Sequence, residues 1–249
     1  MTNAVRFDFA GTAVLVTGGT SGIGHAIASG FAAAGASVTV TGTRPAAGDY
    51  DTDLAPFAYR QLDVRDPAGI DALISETTAV DVLVNNAGAT FPDGLDEWSP
   101  EGFAAALAVN VAGAQRLTVG LRPQLAASTM DGGASVVNLL SMAAYRSTPM
   151  VPGYAAAKAA LLALTRNLAV HWAGDAIRIN AVAPGLIDTP MTAPLQAFPE
   201  MLEAEMGRGV LGRMGTPDEV AAAVLFLSSS ASSFTTGAAF AVDGGFLAQ

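Results

Sequence analysis

No cysteine occurs among the 249 residues of the sequence, so disulfides and thiolate metal sites are excluded, which fits a reducing compartment. Histidine is nearly as scarce: His25 and His171 are the only two, and neither lies among carboxylates at metal-ligand spacing. Positive charge is also short. Twelve Lys and Arg face 22 Asp and Glu, a net charge of -10, and such a field repels nucleic acid and anionic membrane surfaces. It also weakens the case for a strongly acidic protein partner. The opening stretch MTNAVRFDFAGTAVLVTGG carries Asp8 and only a brief apolar run at Ala13–Val16, too short for a signal-peptide core or a membrane span. A soluble, cytoplasmic protein is the expectation. Charged residues of both signs make up 14% of the chain against 51% hydrophobic, a composition that buries a core and does not stay disordered.

One lysine, Lys158, stands among cations that are otherwise all arginine. Arg keeps its proton and carries a bulkier fork, so a lone Lys marks a place for a compact ammonium. It closes the stretch Tyr154-Ala155-Ala156-Ala157-Lys158, whose Ala-rich run continues through Leu161, Leu162 and Leu164 and reads as helix. Tyr154 and Lys158 then lie one turn apart on one face. A free phenol titrates near pH ~10, and a cation a few ångströms away lowers that value, so the pair points to proton transfer. The same five residues also suit a plain amphipathic helix with an interfacial Tyr and a solvated Lys.

Taken in order, Thr12–Val16 reads as a strand, Ile23–Ala34 as a helix closed by Gly35, and Ser37–Thr41 as a second strand. Between the first two lies Thr17-Gly18-Gly19-Thr20-Ser21-Gly22-Ile23-Gly24, a turn whose glycines let backbone amides at a helix N-terminus approach a pyrophosphate. Residues 43–57 are bracketed by Pro45 and Pro56 and rich in Gly and Asp, which predicts a loop. A strand over Ala58–Val64 follows, then a helix capped by Asp66 with Pro67 at its first position, running to about Thr77. Val80–Asn85 reads as a central strand covered on both faces, leading into Asn86-Ala87-Gly88. Ser99-Pro100 caps a long helix to about Ala127 with Asn110 in its middle; this Asn either bonds a backbone carbonyl locally or serves a site. Ala134–Leu140 is a strand with Ser141 just past its end. The Tyr154 helix runs to about Gly174, and a strand over Ile177–Val182 leads into Pro184-Gly185. Residues 186–214, with several prolines and Met191, Leu195, Phe198 and Met201, read as an apolar, mobile covering segment. Thr216 opens a capping box for a helix to Ser228, and Ala238–Val242 is the final strand. Alternating strands and helices without repeat or linker predict one doubly wound α/β domain with a parallel sheet, in which ligands bind at the carboxyl ends of the strands.

TGGTSGIG at 17–24, Asp63-Val64, NNAG at 85–88, Asn110, Ser141, Tyr154 with Lys158, Pro184-Gly185 followed by Ile187 and Thr189, and VDGG at 242–245 together resemble the short-chain dehydrogenase/reductase family in its single-domain form. The likeness covers essentially the whole chain, and Ser141 and Asn110 lie 13 and 44 residues before Tyr154, as the family pattern expects. The resemblance implies a Rossmann-type sheet and hydride transfer between a nicotinamide cofactor and a carbonyl/alcohol pair. It implies Tyr154 as general acid/base and Lys158 as the group that lowers its pKa and holds the nicotinamide ribose. Ser141 is implied to bond the substrate oxygen, and Asn110 to order a water that links Lys158 to solvent. Gly18, Thr20, Ser21, Gly22, Ile23 and Gly24 would hold the phosphates, and Asp63 and Val64 the adenine. Asn86, Ala87 and Gly88 would border the ribose and ring, and Pro184, Gly185, Ile187 and Thr189 the carboxamide.

NAD-preferring members carry an acidic residue at the end of the second strand; here that position, 18 residues after Gly24, is Gly42, followed by Thr43 and Arg44. No carboxylate there repels a 2′-phosphate and Arg44 can pair with one, so NADP(H) is expected, with NAD(H) the alternative should Asp49, Asp51 or Asp53 fold back toward the ribose. Met142, Ala143, Leu186, Met191 and Leu195, with Phe198 and Met201 as a lid, suggest a hydrophobic small-molecule substrate. A 3-oxoacyl carrier-protein reductase ranks second, because that partner is acidic, unless Arg116, Arg122 and Arg166 cluster. A non-catalytic nicotinamide-binding sensor is the third reading. A homotetramer is implied by family analogy.

Overall fold

The structure, a computed structural model, describes residues 5–248. Seven parallel strands form one sheet: β1 (Ala13–Val16), β2 (Ser37–Gly42), β3 (Ala58–Gln61), β4 (Val82–Asn85), β5 (Ala134–Leu139), β6 (Ile177–Pro184) and β7 (Ala239–Val242), in the order β3-β2-β1-β4-β5-β6-β7. Alternation along each strand feeds two cores. Val14, Val16, Val82, Val84 and Val137 face a layer with Phe31 of α1 (Gly22–Ala33) and Val224 of α8 (Pro217–Ser228). Leu15, Leu83, Val136 and Ile179 point the other way, toward Leu73 of α2 (Pro67–Glu76), Leu117 of α4 (Gly113–Gly120) and Leu168 of α6 (Pro152–His171). The central strands are apolar on both faces for this reason.

Local chemistry sets the element ends. Asp66 caps α2 by accepting from the Ala68 amide at 3.0 Å, and Thr216 and Glu219 form the expected capping box of α8. The expected helix from Ser99 to Ala127 is instead three helices: α3 (Pro100–Leu107), α4, and α5 (Arg122–Ala126), with a π turn over Ala108–Ala112 between the first two. Asn110 causes the first break, because its side-chain amide donates to the Ala106 carbonyl at 3.0 Å and competes for an acceptor the helix would use. Pro123, which has no amide to donate, accompanies the second. The third strand ends at Gln61, not Val64, so Leu62, Asp63 and Val64 leave the ladder and turn to the end of the sheet. The Tyr154 helix stops at His171, and Ala176 turns the chain into β6 in the left-handed region, at φ 55°. Residues 43–57 form the expected loop around one short turn at Ala47–Asp49, and residues 186–214 contain a short turn at Ala193–Ala197 and α7 (Pro199–Met206).

Among the described residues, no helix is long and apolar enough to cross a membrane, and no group of three or more His, Cys, Asp or Glu is placed to hold a metal.

The segment carrying Asp63 and Val64 rests on α4 at Gly113, where a Cβ would run into the Val64 carbonyl and lie 2.9 Å from the Val64 Cβ. Gly113→Ala should therefore lower stability by about 1–3 kcal/mol and weaken dinucleotide binding together with it. Thermal melts and cofactor titrations of the same variant check both effects.

Candidate active site

Where the chain reverses its winding between β1 and β4, a cleft of about 430 Å³ opens at the carboxyl ends of the strands. The glycine turn forms its floor. Gly18 adopts φ 63°, and the Asn86 side-chain amide donates to the Thr17 and Gly18 carbonyls at 2.9 and 3.0 Å. A Cβ at Gly24 would collide with that carbonyl and that amide, so the turn and the NNAG segment interlock only because position 24 has no side chain. Ser21 starts α1 without a side-chain cap, which leaves the first-turn amides directed at the cleft for an anion.

One end of the cleft is bordered by Gly42, Thr43, Tyr50, Asp63, Val64 and Arg65. The Tyr50 hydroxyl accepts from the Arg44 amide at 2.9 Å and lies so close to Gly42 that no side chain fits there. Tyr59 supports it from β3, 3.4 Å away between hydroxyls, and donates to the Gly42 carbonyl at 3.0 Å. Arg44 does not line the cleft; its guanidinium stacks 4.8 Å above the Tyr50 ring and donates to the Asp49 carbonyl. The loop acids are occupied locally, Asp49 accepting from the Ala46 amide and Asp53 from the Ala55 amide. Asp63 is held below the usual carboxylate range, chiefly by hydrogen bonds from Arg65, and Arg65 reaches across to Asp93 at 2.5 Å.

At the other end Tyr154 and Lys158 line the cleft with Leu139, Leu140, Pro184 and Thr189. The Ser141 side chain acts on the Tyr154 phenol and draws it down, and Ser141 accepts from the Ala143 amide at 3.2 Å. Lys158, only 3% exposed, donates to the Leu139 carbonyl at 2.8 Å, with its Nζ 5.4 Å from the Tyr154 ring centroid. Asn110 links the π turn to the loop after β4 through the Ala89 carbonyl, at 2.8 Å, and the Ala89 amide, at 3.2 Å. A Cβ on Gly88 would lie 2.7 Å from the Asn110 carboxamide oxygen and 3.3 Å from the Lys158 Nζ, so the two side chains approach that glycine together.

The electrostatics depart from the sequence reading. The Tyr154 phenol is raised, not lowered: burial dominates, and the Glu97 carboxylate adds to it against the pull of Ser141. Lys158 gives its hydrogen bond to Leu139 and is itself pushed down to about 8 by burial. Ile187 belongs to the core and Gly185 packs against Asp243, so neither borders the cleft. Met142 is buried with Leu161 and Leu162 rather than lining a substrate pocket. The residues that sequence reasoning missed are Tyr50, Arg65, Asp93 and Glu97. Each sits in a loop, where no periodicity or short motif marks it and an acid among acids reads as solvated charge.

Fold and cleft together define a dinucleotide-binding oxidoreductase. The enoyl-(acyl carrier protein) reductase family model matches residues 18–247. Galactitol 2-dehydrogenase (L-tagatose-forming) of Cereibacter sphaeroides is 38% identical over 249 residues, covering 96% of each chain. The 3-oxoacyl-[acyl-carrier-protein] reductase of Chlamydia muridarum is 36% identical over 245 residues, covering 94% of this chain and 96% of its own. A longer, uncharacterized short-chain type dehydrogenase/reductase of Sinorhizobium fredii matches at 37% identity, and the chain spans 44% of that protein's length. The crystal structure of a putative 2-deoxy-D-gluconate 3-dehydrogenase from Agrobacterium tumefaciens with bound NADP superposes with a TM-score of 0.86 at 35% identity, covering 99% of this chain and 100% of that one. The chain belongs to the short-chain dehydrogenase/reductase family, and it is an NAD(P)-dependent oxidoreductase acting on an alcohol/carbonyl pair.

A buried ammonium at about 8 binds its proton less tightly folded than unfolded. The unfolded chain therefore holds more protons between pH 8 and the free lysine value near ~10.4, and stability rises with pH across that window. Lys158→Met should remove this slope and be the more stable protein at pH 7, by on the order of 3 kcal/mol. Denaturant melts from pH 7 to 10 for both proteins check it; parallel curves would show that the ammonium carries no burial penalty.

Proposed function

We propose that the protein interconverts a hydrophobic ketone and its secondary alcohol, with NADP(H) preferred over NAD(H). The observation that carries the reading is Tyr154 beside a buried Lys158, with the Ser141 side chain acting on the phenol, in one cleft with a glycine turn built for a pyrophosphate. The cleft fits such a cofactor: amides at the start of α1 face it, and every side chain that would obstruct the turn is missing. A bound nicotinamide supplies or accepts the hydride. In reduction Tyr154 donates its phenolic proton to the substrate oxygen, and Ser141 donates a hydrogen bond to that same oxygen. Lys158 has two further protons beyond the one given to Leu139; they suit ribose hydroxyls and stabilise the phenolate once its proton has left. Asn110 supports proton resupply to Lys158 through an ordered water.

NADP(H) preference is supported by the Tyr50 hydroxyl, which occupies the space where an acidic side chain at position 42 would stand. The Agrobacterium relative with bound NADP agrees with it. A hydrophobic substrate is supported by Met191 on the cleft, 52% exposed, with Phe198 and Met201 exposed on the covering segment. The acyl-carrier reading stays second: Arg116 pairs with Asp71 at 2.5 Å and Arg122 with Asp175 at 2.7 Å, so these charges are already matched within the chain. A homotetramer is the proposed assembly, in keeping with an exposed Phe240 on edge strand β7.

With a panel of ketones and alcohols followed at the nicotinamide absorbance, turnover should appear with NADP(H) and fall at least about 100-fold in Tyr154→Phe, while cofactor binding changes little. Tighter NAD(H) binding that Arg44→Ala leaves unchanged would overturn the cofactor preference. No turnover of any substrate, with Tyr154→Phe indistinguishable from the parent, would favour the sensor. Sedimentation should give about four times the 25.0 kDa chain mass.

A further inference from the structure

Glu97 is 1% exposed, yet it lies in a surface-side loop with Asp93 and Asp96. Both carboxylate oxygens are taken by backbone amides: one accepts from Phe91 at 2.8 Å, the other from Tyr154 at 2.7 Å. The second bond has a structural reason. Val151 stands at the N-cap of α6 and offers no side-chain acceptor, while Tyr154 is the third helical residue, whose amide an N-cap side chain would ordinarily satisfy. Glu97 fills that role from a different element and places negative charge at the positive end of the helix dipole. Position 153 is glycine beside it: a Cβ there would lie 3.3 Å from the Glu97 carboxylate and 2.8 Å from the Ala106 Cβ.

The first bond ties in the cofactor end. Phe91 and Asp93 are held in the left-handed region, at φ 46° and 56°, a conformation that side-chain-bearing residues adopt only where neighbours hold it. Pro92 and Asp93 border the cleft, and Asp93 is the residue that Arg65 grips. One carboxylate thus fixes both the loop at the cleft edge and the start of the helix that carries Tyr154 and Lys158. The charged groups facing Tyr154 are Lys158 from its own helix and Glu97 from this loop, with uncharged Ser141 from the turn after β5.

We propose that Glu97 is a positioning residue for proton transfer: it caps the Tyr154 helix from a neighbouring loop, and its buried charge opposes loss of the phenolic proton. The inference rests on the reading of Tyr154 as the proton donor. It assigns to Glu97 the bias that keeps Tyr154 an acid until cofactor and substrate arrive, with Lys158 acting in the opposite sense.

The test reads the phenol directly and needs no turnover. Alkaline ultraviolet difference titration, with the matching Tyr154→Phe variant subtracted in each background, isolates Tyr154 from the other three tyrosines. Glu97→Gln should lower the melting temperature and move the Tyr154 titration down by roughly one pH unit. Adding Val151→Ser puts a conventional cap on the helix: it should recover the melting temperature and leave the titration low. The double variant is also the species to read if the single one does not accumulate folded. An unshifted titration in Glu97→Gln, or a return of both quantities with Val151→Ser, would reduce Glu97 to a helix cap and overturn the proposal. An inactive parent whose phenol still shifts would sink the catalytic reading of Tyr154 and leave the effect of the Glu97 charge standing.

Discussion

A single hydrogen bond, from the buried Lys158 ammonium to the Leu139 carbonyl at 2.8 Å, governs how the rest of the site is arranged. Taking a cation out of water is costly, and one carbonyl returns only part of that cost. The rest must come from the docking of α6 on the sheet, which is polar at a second point as well: Thr165 accepts from Asn138 at 2.9 Å. Asn138 lies opposite Asn85 in the β4–β5 register, and Asn85 donates to it and to Thr118 of α4, both at 2.8 Å. A ladder of side-chain amides therefore fixes the depth and rotation of α6 beneath the site. Among the described residues the Asn85 Oδ1 of this network is buried without a hydrogen-bond partner, and the joined members specify one arrangement more sharply than apolar packing does.

The cleft joins two ends of different character. At the Gly42 end, tyrosines and an arginine from a loop and an edge strand meet around one backbone position, so the shape there depends on how residues 44–59 fold back onto it. At the Tyr154 end, charge is sealed away from water, and small displacements alter proton affinity more than they would at a surface. The loop 91–94, with its two left-handed residues, touches both ends. Strain of this kind persists only where surrounding bonds hold it, and here Glu97 and Arg65 supply them.

Relatives that resemble this chain across nearly its full length bear names that refer to a sugar alcohol and to an acyl-carrier substrate. Residues 186–214 are mostly exposed and hold α7 and a short turn, and loops at the carboxyl ends of a fixed scaffold change without unfolding it.

Strand identity, helix caps and the glycine turn were legible in the sequence because each follows from residues within a few positions of one another: short continuous apolar runs, Asp66 before Pro67, Thr216 before Glu219. The motif residues Ser141, Tyr154 and Lys158 were legible for their spacing, and the structure brings them together. The break at Asn110, the early end of β3, the burial of Met142 and the withdrawal of Arg44 from the cleft were not, since each depends on what lies across the fold. Nor was the direction of the Tyr154 shift, because a phenol one turn from a lysine shows its cation in the sequence and hides its desolvation. Local pattern determined which elements form and in what order; only packing decided which charges are buried, and burial is a property of three-dimensional neighbours that no short stretch of chain contains.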